Sequence, residues 1–168
     1  MTTSRRFVMD TMLGKLARWL RAMGYDTLYF RVAQDRSLLQ LARAEARTLL
    51  TRDARLARLA GAGGLLIRAT EIEPQIVEVV EQLALAPSGE GLLSRCLECN
   101  ALLEDRLKES VRGLVPEYVF VTHHRFVGCP GCSRIYWQGS HADRILARLE
   151  RALGSRAPKG GADFPRPF

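Results

Sequence analysis

The chain has 168 residues, is 47% hydrophobic and carries a net charge of +7. That length suits one domain or two small ones, and the apolar content suffices for a real core. No apolar run approaches the length of a membrane span, and Met1–Arg6 lacks the apolar stretch of a secretory signal, so the reading is a cytoplasmic protein with no membrane partner.

Phe7-Val8-Met9 is a short apolar run ending at Asp10. Leu13, Leu16, Ala17 and Leu20 follow at helical spacing, which predicts an amphipathic helix over 11–23, ended by Gly24. Thr27–Phe30 reads as a second strand, and Asp35 opens a second helix carrying Leu38, Leu39, Leu41 and Ala42. Thr48–Thr51 reads as a third strand, followed by Asp53 and a short helix through Leu59. Leu65–Ile67 is a fourth strand, and Pro74 suits the first turn of a helix carrying Ile76, Val79, Val80 and Leu83. Strict alternation of strand and helix predicts an α/β fold with a parallel sheet flanked by helices. Pro87–Gly91 has the composition of a linker. Tyr118–Val121 reads as a strand, residues 141–153 as a helix, and the Gly- and Pro-rich tail from Gly154 as disordered. The expected division is 1–88, 92–153 with the C-terminal helix, and a tail over 154–168.

Charge is uneven along the chain. Residues 1–70 hold thirteen Lys and Arg against five Asp and Glu, while residues 71–90 hold five Glu and no basic residue. A basic N-terminal half suggests a polyanionic partner, most simply nucleic acid, although solvated faces of an Arg-rich chain give the same balance.

The four cysteines form two CxxC pairs, Cys96–Cys99 and Cys129–Cys132, separated by twenty-nine residues. Two such pairs in turn-like settings can supply four thiolates at tetrahedral geometry, the arrangement of a closed structural Zn2+ site. The competing reading, two disulfides, suffers because adjacent CxxC pairs rarely make good long-range bridges. A closed site of this kind staples a fold, so chemistry is to be sought in the first half of the chain.

In a parallel sheet the carboxyl ends of the strands share one edge, where open α/β folds build ligand sites. Asp10, Asp35 and Asp53 follow three successive strands and so fall at that rim. Three carboxylates together repel one another unless a cation compensates them, and Mg2+ or Mn2+ is the natural partner of oxygen ligands. Asp is also a preferred N-cap residue, and each of the three lies at the start of a helix, so a capping role stands beside the metal role. Lys15, Arg18 and Arg21 recur every three residues on the first helix, off its apolar stripe, and form a ridge that can meet a phosphate backbone or remain solvated. Trp19 borders that ridge and reads as core.

The words Asp10–Arg21, Gly24–Thr27, Leu49-Leu50-Thr51-Arg52-Asp53, Cys96–Asn100 and Tyr136–His141, in that order, resemble the Mut-seven C-terminal RNase domain family. The resemblance spans roughly residues 5–150. It implies a PIN-like nuclease domain followed by a zinc ribbon, and a metal-dependent ribonuclease acting on RNA. It implies that Asp10, Asp53 in a Thr-x-Asp word, and Asp35 hold the catalytic divalent ion, with Glu45 a second candidate farther from the rim. The fourth acidic position of fuller PIN domains is missing: strand four ends in Arg68-Ala69-Thr70, with Glu71 slightly beyond. His141 can orient a phosphate or donate a proton, or else cap a helix or pack on Tyr136–Trp137. His123 and His124 read as strand residues, one facing in and one out.

Two further functions stand beside the ribonuclease. One is a non-catalytic adaptor that binds RNA or a ribosomal partner. The other is the toxin of a toxin–antitoxin pair, against which the attached zinc ribbon argues.

Overall fold

The computed structural model describes residues 5–158. Four short strands, β1 (Arg6–Met9), β2 (Asp26–Tyr29), β3 (Thr48–Thr51) and β4 (Gly64–Leu66), form a parallel sheet in the order β2-β1-β3-β4. The connections are helical: α1 (Gly14–Ala22), α2 (Asp35–Ala44) and α3 (Ala54–Ala60), with α4 (Ile72–Gln82) after the last strand. This is the α/β arrangement that the sequence predicts.

Side chains of the central strands alternate between two buried faces, as a parallel sheet covered on both sides requires. Phe7, Met9 and Leu50 pack with Leu13, Leu16, Leu20, Ile76 and Val79 of the segments forming α1 and α4. Val8 and Leu49 pack on the other face with Leu38 and Ala42 of α2 and Leu56 of α3. Leu13, Leu16, Ala17 and Leu20 are all essentially inaccessible, which is the i, i+3, i+4, i+7 stripe of the first helical segment turned to the sheet.

Gly24 ends α1 in a left-handed conformation, φ +90°. A Cβ there would lie 2.3 Å from the carbonyl oxygen of Gly91. The linker therefore crosses directly over the end of α1, and the Leu93 N–H donates to Ala22 O at 2.8 Å. At the amino edge of the sheet, buried Arg47 donates to Phe7 O at 3.2 Å and to the Asp26 carboxylate at 2.7 Å.

Beyond the linker, β5 (Glu104–Arg106), β6 (Phe126–Gly128) and β7 (Ile135–Trp137) form an antiparallel sheet in sequence order. The strand expected at Tyr118–Val121 is instead a helix, α5 (Glu117–Thr122). Pro116 sets its start, and Val119 and Phe120 bury one helical face against Val111, Val115 and Phe126. Local β propensity lost to that packing. His123 ends α5 and His124 follows it, exposed, so neither lies in a strand. His123 Nδ1 is 2.9 Å from Thr122 Oγ1 and 3.2 Å from Val119 O.

The last helix, α6 (Ser140–Leu153), returns to the first sheet. Leu149 and Leu153 join the core of α1 and α4, and Arg148 pairs with Glu73 at 2.5 Å. A 3-10 turn follows at Gly154–Arg156, where Arg156 pairs with Glu81. The rest of the tail expected to be disordered, 159–168, lies outside the described residues.

Candidate functional site

The two CxxC segments fold alike. In each, the residue after the second cysteine is left-handed, Asn100 at φ 75° and Ser133 at φ 60°. In each, that residue's N–H donates to the first cysteine's carbonyl at 3.0 Å. In each, the first cysteine's N–H reaches the carbonyl five residues on at 2.8 Å, Ala101 for Cys96 and Arg134 for Cys129. These paired turns aim four Sγ atoms at one point. Cys96 and Cys132 Sγ are 3.5 Å apart, Cys99 and Cys129 Sγ are 3.2 Å apart, and all four lie within 4.8 Å of one another. Four thiolates about 2.3 Å from a tetrahedral zinc ion would stand about 3.8 Å apart. The spacing and the donor set fit, so the cluster can bind Zn2+. Burial raises Cys129 to about 12. Burial also raises Cys132, but hydrogen bonding to Arg134 outweighs it and brings Cys132 down to about 6. The Tyr136 hydroxyl lies 3.1 Å from Cys96 Sγ.

The first of these turns is locked to the edge of the parallel sheet. Arg21 Nη1 donates to Leu97 O at 2.9 Å and Glu98 O at 2.8 Å, while its Nε donates to Thr27 O at 2.9 Å. Asn100 accepts from Thr27 N at 2.9 Å and donates to Asp26 Oδ1 at 2.7 Å. Arg21 is only 4% exposed. This corrects the expected ridge: Lys15 and Arg18 are exposed, but Arg21 is a buried tie and offers no surface to a phosphate backbone. Burial lowers its pKa, opposed by the nearby Cys96 and Cys99.

The acidic rim is organised differently. Helix α1 lies on one face of the sheet and α3 on the other, so the chain reverses its winding between β1 and β3. The crevice outside such strand ends is the usual ligand position of open α/β sheets. Asp10 follows β1 there, 6% exposed. Its Oδ1 accepts from Met12 N at 2.8 Å, and its Oδ2 accepts from Arg52 N at 3.0 Å and from the Thr51 hydroxyl. Thr51 Oγ1 in turn accepts from Asp53 N at 2.9 Å. Asp53 is exposed and caps α3, its Oδ1 accepting from Arg55 N at 2.6 Å and Leu56 N at 3.1 Å. The backbone N–H groups of Leu56 and Arg55 hold its carboxyl below the ordinary range. Asp35, in the first turn of α2, accepts from Arg55 Nη2 at 3.0 Å.

Thr51 and Arg55 therefore link the three predicted aspartates in series. Among the described residues, the four cysteines are the group of three or more potential ligands whose ligand atoms share a 4.8 Å sphere, and the aspartates do not form such a group. Thr51 stands two residues before Asp53 in the Thr-x-Asp word, and only the arrival of Asp10 from the neighbouring strand gives its hydroxyl a role. Glu45 ends α2 at the opposite edge of the sheet and pairs with Arg47 at 2.6 Å. Glu71 is the exposed N-cap residue of α4. The loop after β4 is held by Glu78, which accepts from Arg68 N at 3.0 Å and Ala69 N at 3.0 Å. His141 is exposed in the first turn of α6.

No helix among the described residues is long and apolar enough to cross a membrane. No curated protein and no solved structure matches the chain. The family model of the Mut7-C RNAse domain matches residues 5–149, a span that includes the acidic rim and all four cysteines. The chain belongs to the Mut7-C RNAse domain family.

Proposed function

We propose that this protein is a metal-dependent ribonuclease that hydrolyses RNA phosphodiester bonds at the rim where Asp10 and Asp53 stand. The observation that carries the reading is the pair Asp10 and Asp53 at the winding reversal, joined by the buried Thr51 hydroxyl. Oxygen-only donors suit Mg2+ or Mn2+. A divalent ion there would activate water and stabilise the charge that develops on the attacked phosphate.

Within this reading Asp10 is oriented by Thr51 and by two backbone N–H groups, so its carboxylate has one fixed position. Asp53 uses Oδ1 to cap α3, which leaves Oδ2 as the second donor. Asp35 joins only when Arg55 releases it, which makes it the outer member of the set. Lys15 and Arg18 attract the RNA backbone without regard to sequence. Residues 1–88 would be the nuclease unit and 92–153 the zinc-stapled unit, whose thiols suit a reducing cytoplasm.

The capping bonds of Asp10 and Asp53 also suit a non-catalytic RNA- or ribosome-binding adaptor. Cleavage separates the two. Zinc-loaded wild-type protein should cut single-stranded RNA when Mg2+ or Mn2+ is added and should not cut when neither is present. Asp10→Asn and Asp53→Asn should each abolish cutting with the fold intact. Wild-type cleavage rates in both variants would overturn the assignment.

A further inference from the structure

Two cavities share a wall beside the zinc-binding turn. The first, of about 220 Å³, is bounded by Leu97, Leu103, Tyr136 and Trp137, with Arg95 and His141 as polar members. The second, of about 310 Å³, is bounded by Lys15, Arg18, Trp19, Ile72 and Arg148. Leu97, His141 and Ile145 line both, so the two make one groove with an aromatic half and a cationic half.

The aromatic half is rigid. Tyr136 packs on the groove side of β7 with Leu97 and is anchored through its hydroxyl beside Cys96 Sγ. Trp137 packs on the opposite face with Phe126, meets the His123 ring edge-on at 6.5 Å between centroids and borders the groove. Its volume is below the ~300–1,000 Å³ of ordinary small-molecule sites and suits one planar ring system. The cationic half is equally ordered. Arg18 pairs with Glu98 at 2.9 Å, and Arg148 pairs with Glu73 while its guanidinium lies 5.3 Å from the Trp19 ring centroid. Two carboxylates thus fix two arginines, and exposed Lys15 leaves the patch net positive. Lys15 and Ile72 stand in the first turns of α1 and α4, which both begin at the carboxyl edge of the sheet. The groove therefore leads from the Asp10 rim to the ribbon.

We infer that this groove binds a single-stranded segment of RNA, with one unstacked base in the aromatic half and its flanking phosphates against Lys15 and Arg18. The inference rests on the ribonuclease reading for its RNA substrate and adds a binding position outside the cleaved bond. Aromatic platforms bind bases of any identity, and only an unpaired, unstacked base can enter one. The ribbon would then build one wall of the substrate channel, so zinc would matter for RNA binding as well as for folding.

Of the chain's two tryptophans, Trp19 lines the cationic half and Trp137 borders the aromatic half, which gives each half a fluorophore within or beside it. The test uses zinc-loaded, full-length protein carrying Asp53→Asn, with Trp19→Phe in one sample and Trp137→Phe in the other. Zinc content and circular dichroism check that both are folded. Each is titrated with a single-stranded RNA octamer, its abasic counterpart and an RNA duplex. The octamer should quench Trp137, while the abasic strand should bind about tenfold more weakly and leave Trp137 unchanged. The duplex should leave Trp137 unchanged too. Lys15→Ala should reduce the log–log salt slope by about 0.7 for the octamer. Absence of Trp137 quenching by the octamer, or equal quenching by the abasic strand, overturns the inference and leaves wild-type cleavage as evidence for the nuclease. Quenching of Trp137 without any wild-type cleavage retains the groove and removes the nuclease.

Discussion

In the ribbon, four Sγ atoms lie within 4.8 Å of one another, whereas at the sheet rim the three aspartates are joined only in series, through Thr51 and Arg55. The cysteine set is assembled by two local turns of the same design, each closed by its own hydrogen bonds and a left-handed residue. The acidic set is assembled by topology, from residues that are distant in sequence and adjacent only because β1 and β3 pair. A local device brings its ligands together by itself. A topological one brings carboxylates to a common edge and needs helpers such as Thr51 to orient them.

Breaking the ribbon should have the largest effect. Cys129→Ser removes a thiol of the four-cysteine cluster that is 1% exposed, and structural zinc sites supply much of the folding free energy of small metal-dependent modules. Zinc should fall from one ion per chain to none, and hydrogen-exchange protection should vanish across 92–137. Because Arg21 and Asn100 tie the first turn to Thr27, β2 should lose protection next, while β3 and β4 keep theirs. Full protection of 92–137 without zinc would contradict the staple.

At the rim, Asp10→Asn should lower Mg2+-dependent RNA cleavage by at least about 100-fold, the usual scale for losing a principal electrostatic element of an active site. Zinc content should stay at one ion per chain. Loss of zinc in this variant would show that the two regions are not independent.

Thr51→Val tests the residue that orients Asp10 rather than the proposed ligand itself. It deletes the hydroxyl that joins Asp10 to the Asp53 N–H, and outer partners of metal ligands are commonly worth about 10–100-fold. Thr51→Ser keeps the hydroxyl and should retain most of the activity. Equal loss in both variants would mean that the methyl group matters, and not the tie.

The smallest expected effect concerns Asp26, which joins the amino edge of the sheet to the ribbon through Arg47 and Asn100. Burial raises its pKa, but hydrogen bonds from Arg47 and Asn100 lower it further, so the folded value lies below the unfolded one. Its contribution is therefore present above the unfolded value, near pH 4, and is lost as pH falls through the folded value. Allowing for solvent screening, Asp26→Asn should cost on the order of 1 kcal/mol at neutral pH and flatten the acid limb of the stability curve. An acid limb identical to wild type would assign that pH dependence to other carboxylates.

The parallel sheet was readable because its strands are short apolar runs, each followed by an Asp or a helix start, and the knuckles because cysteine spacing is itself geometric. Arg21 leaves the expected ridge for a helical reason. Three-residue steps fall about 60° short of a full turn, so Arg21 lies about 120° around α1 from Lys15 and faces the ribbon. No local pattern announces that, because its partners, Leu97 and Glu98, are more than seventy residues away. Helix α5 is hidden in the sequence for a similar reason: Tyr118–Val121 favours a strand locally, and only contact with Val111 and Phe126 rewards the helix. Thr51 stood in plain view, but its role depends on Asp10 arriving from a neighbouring strand.

The most direct measurement is Mn2+ binding to zinc-loaded protein, followed by electron paramagnetic resonance. Wild-type protein should bind Mn2+ in competition with Mg2+, and Asp10→Asn and Asp53→Asn should each lose that binding while keeping one zinc ion per chain. Mn2+ binding of wild-type strength in both variants would contradict a metal site built on Asp10 and Asp53.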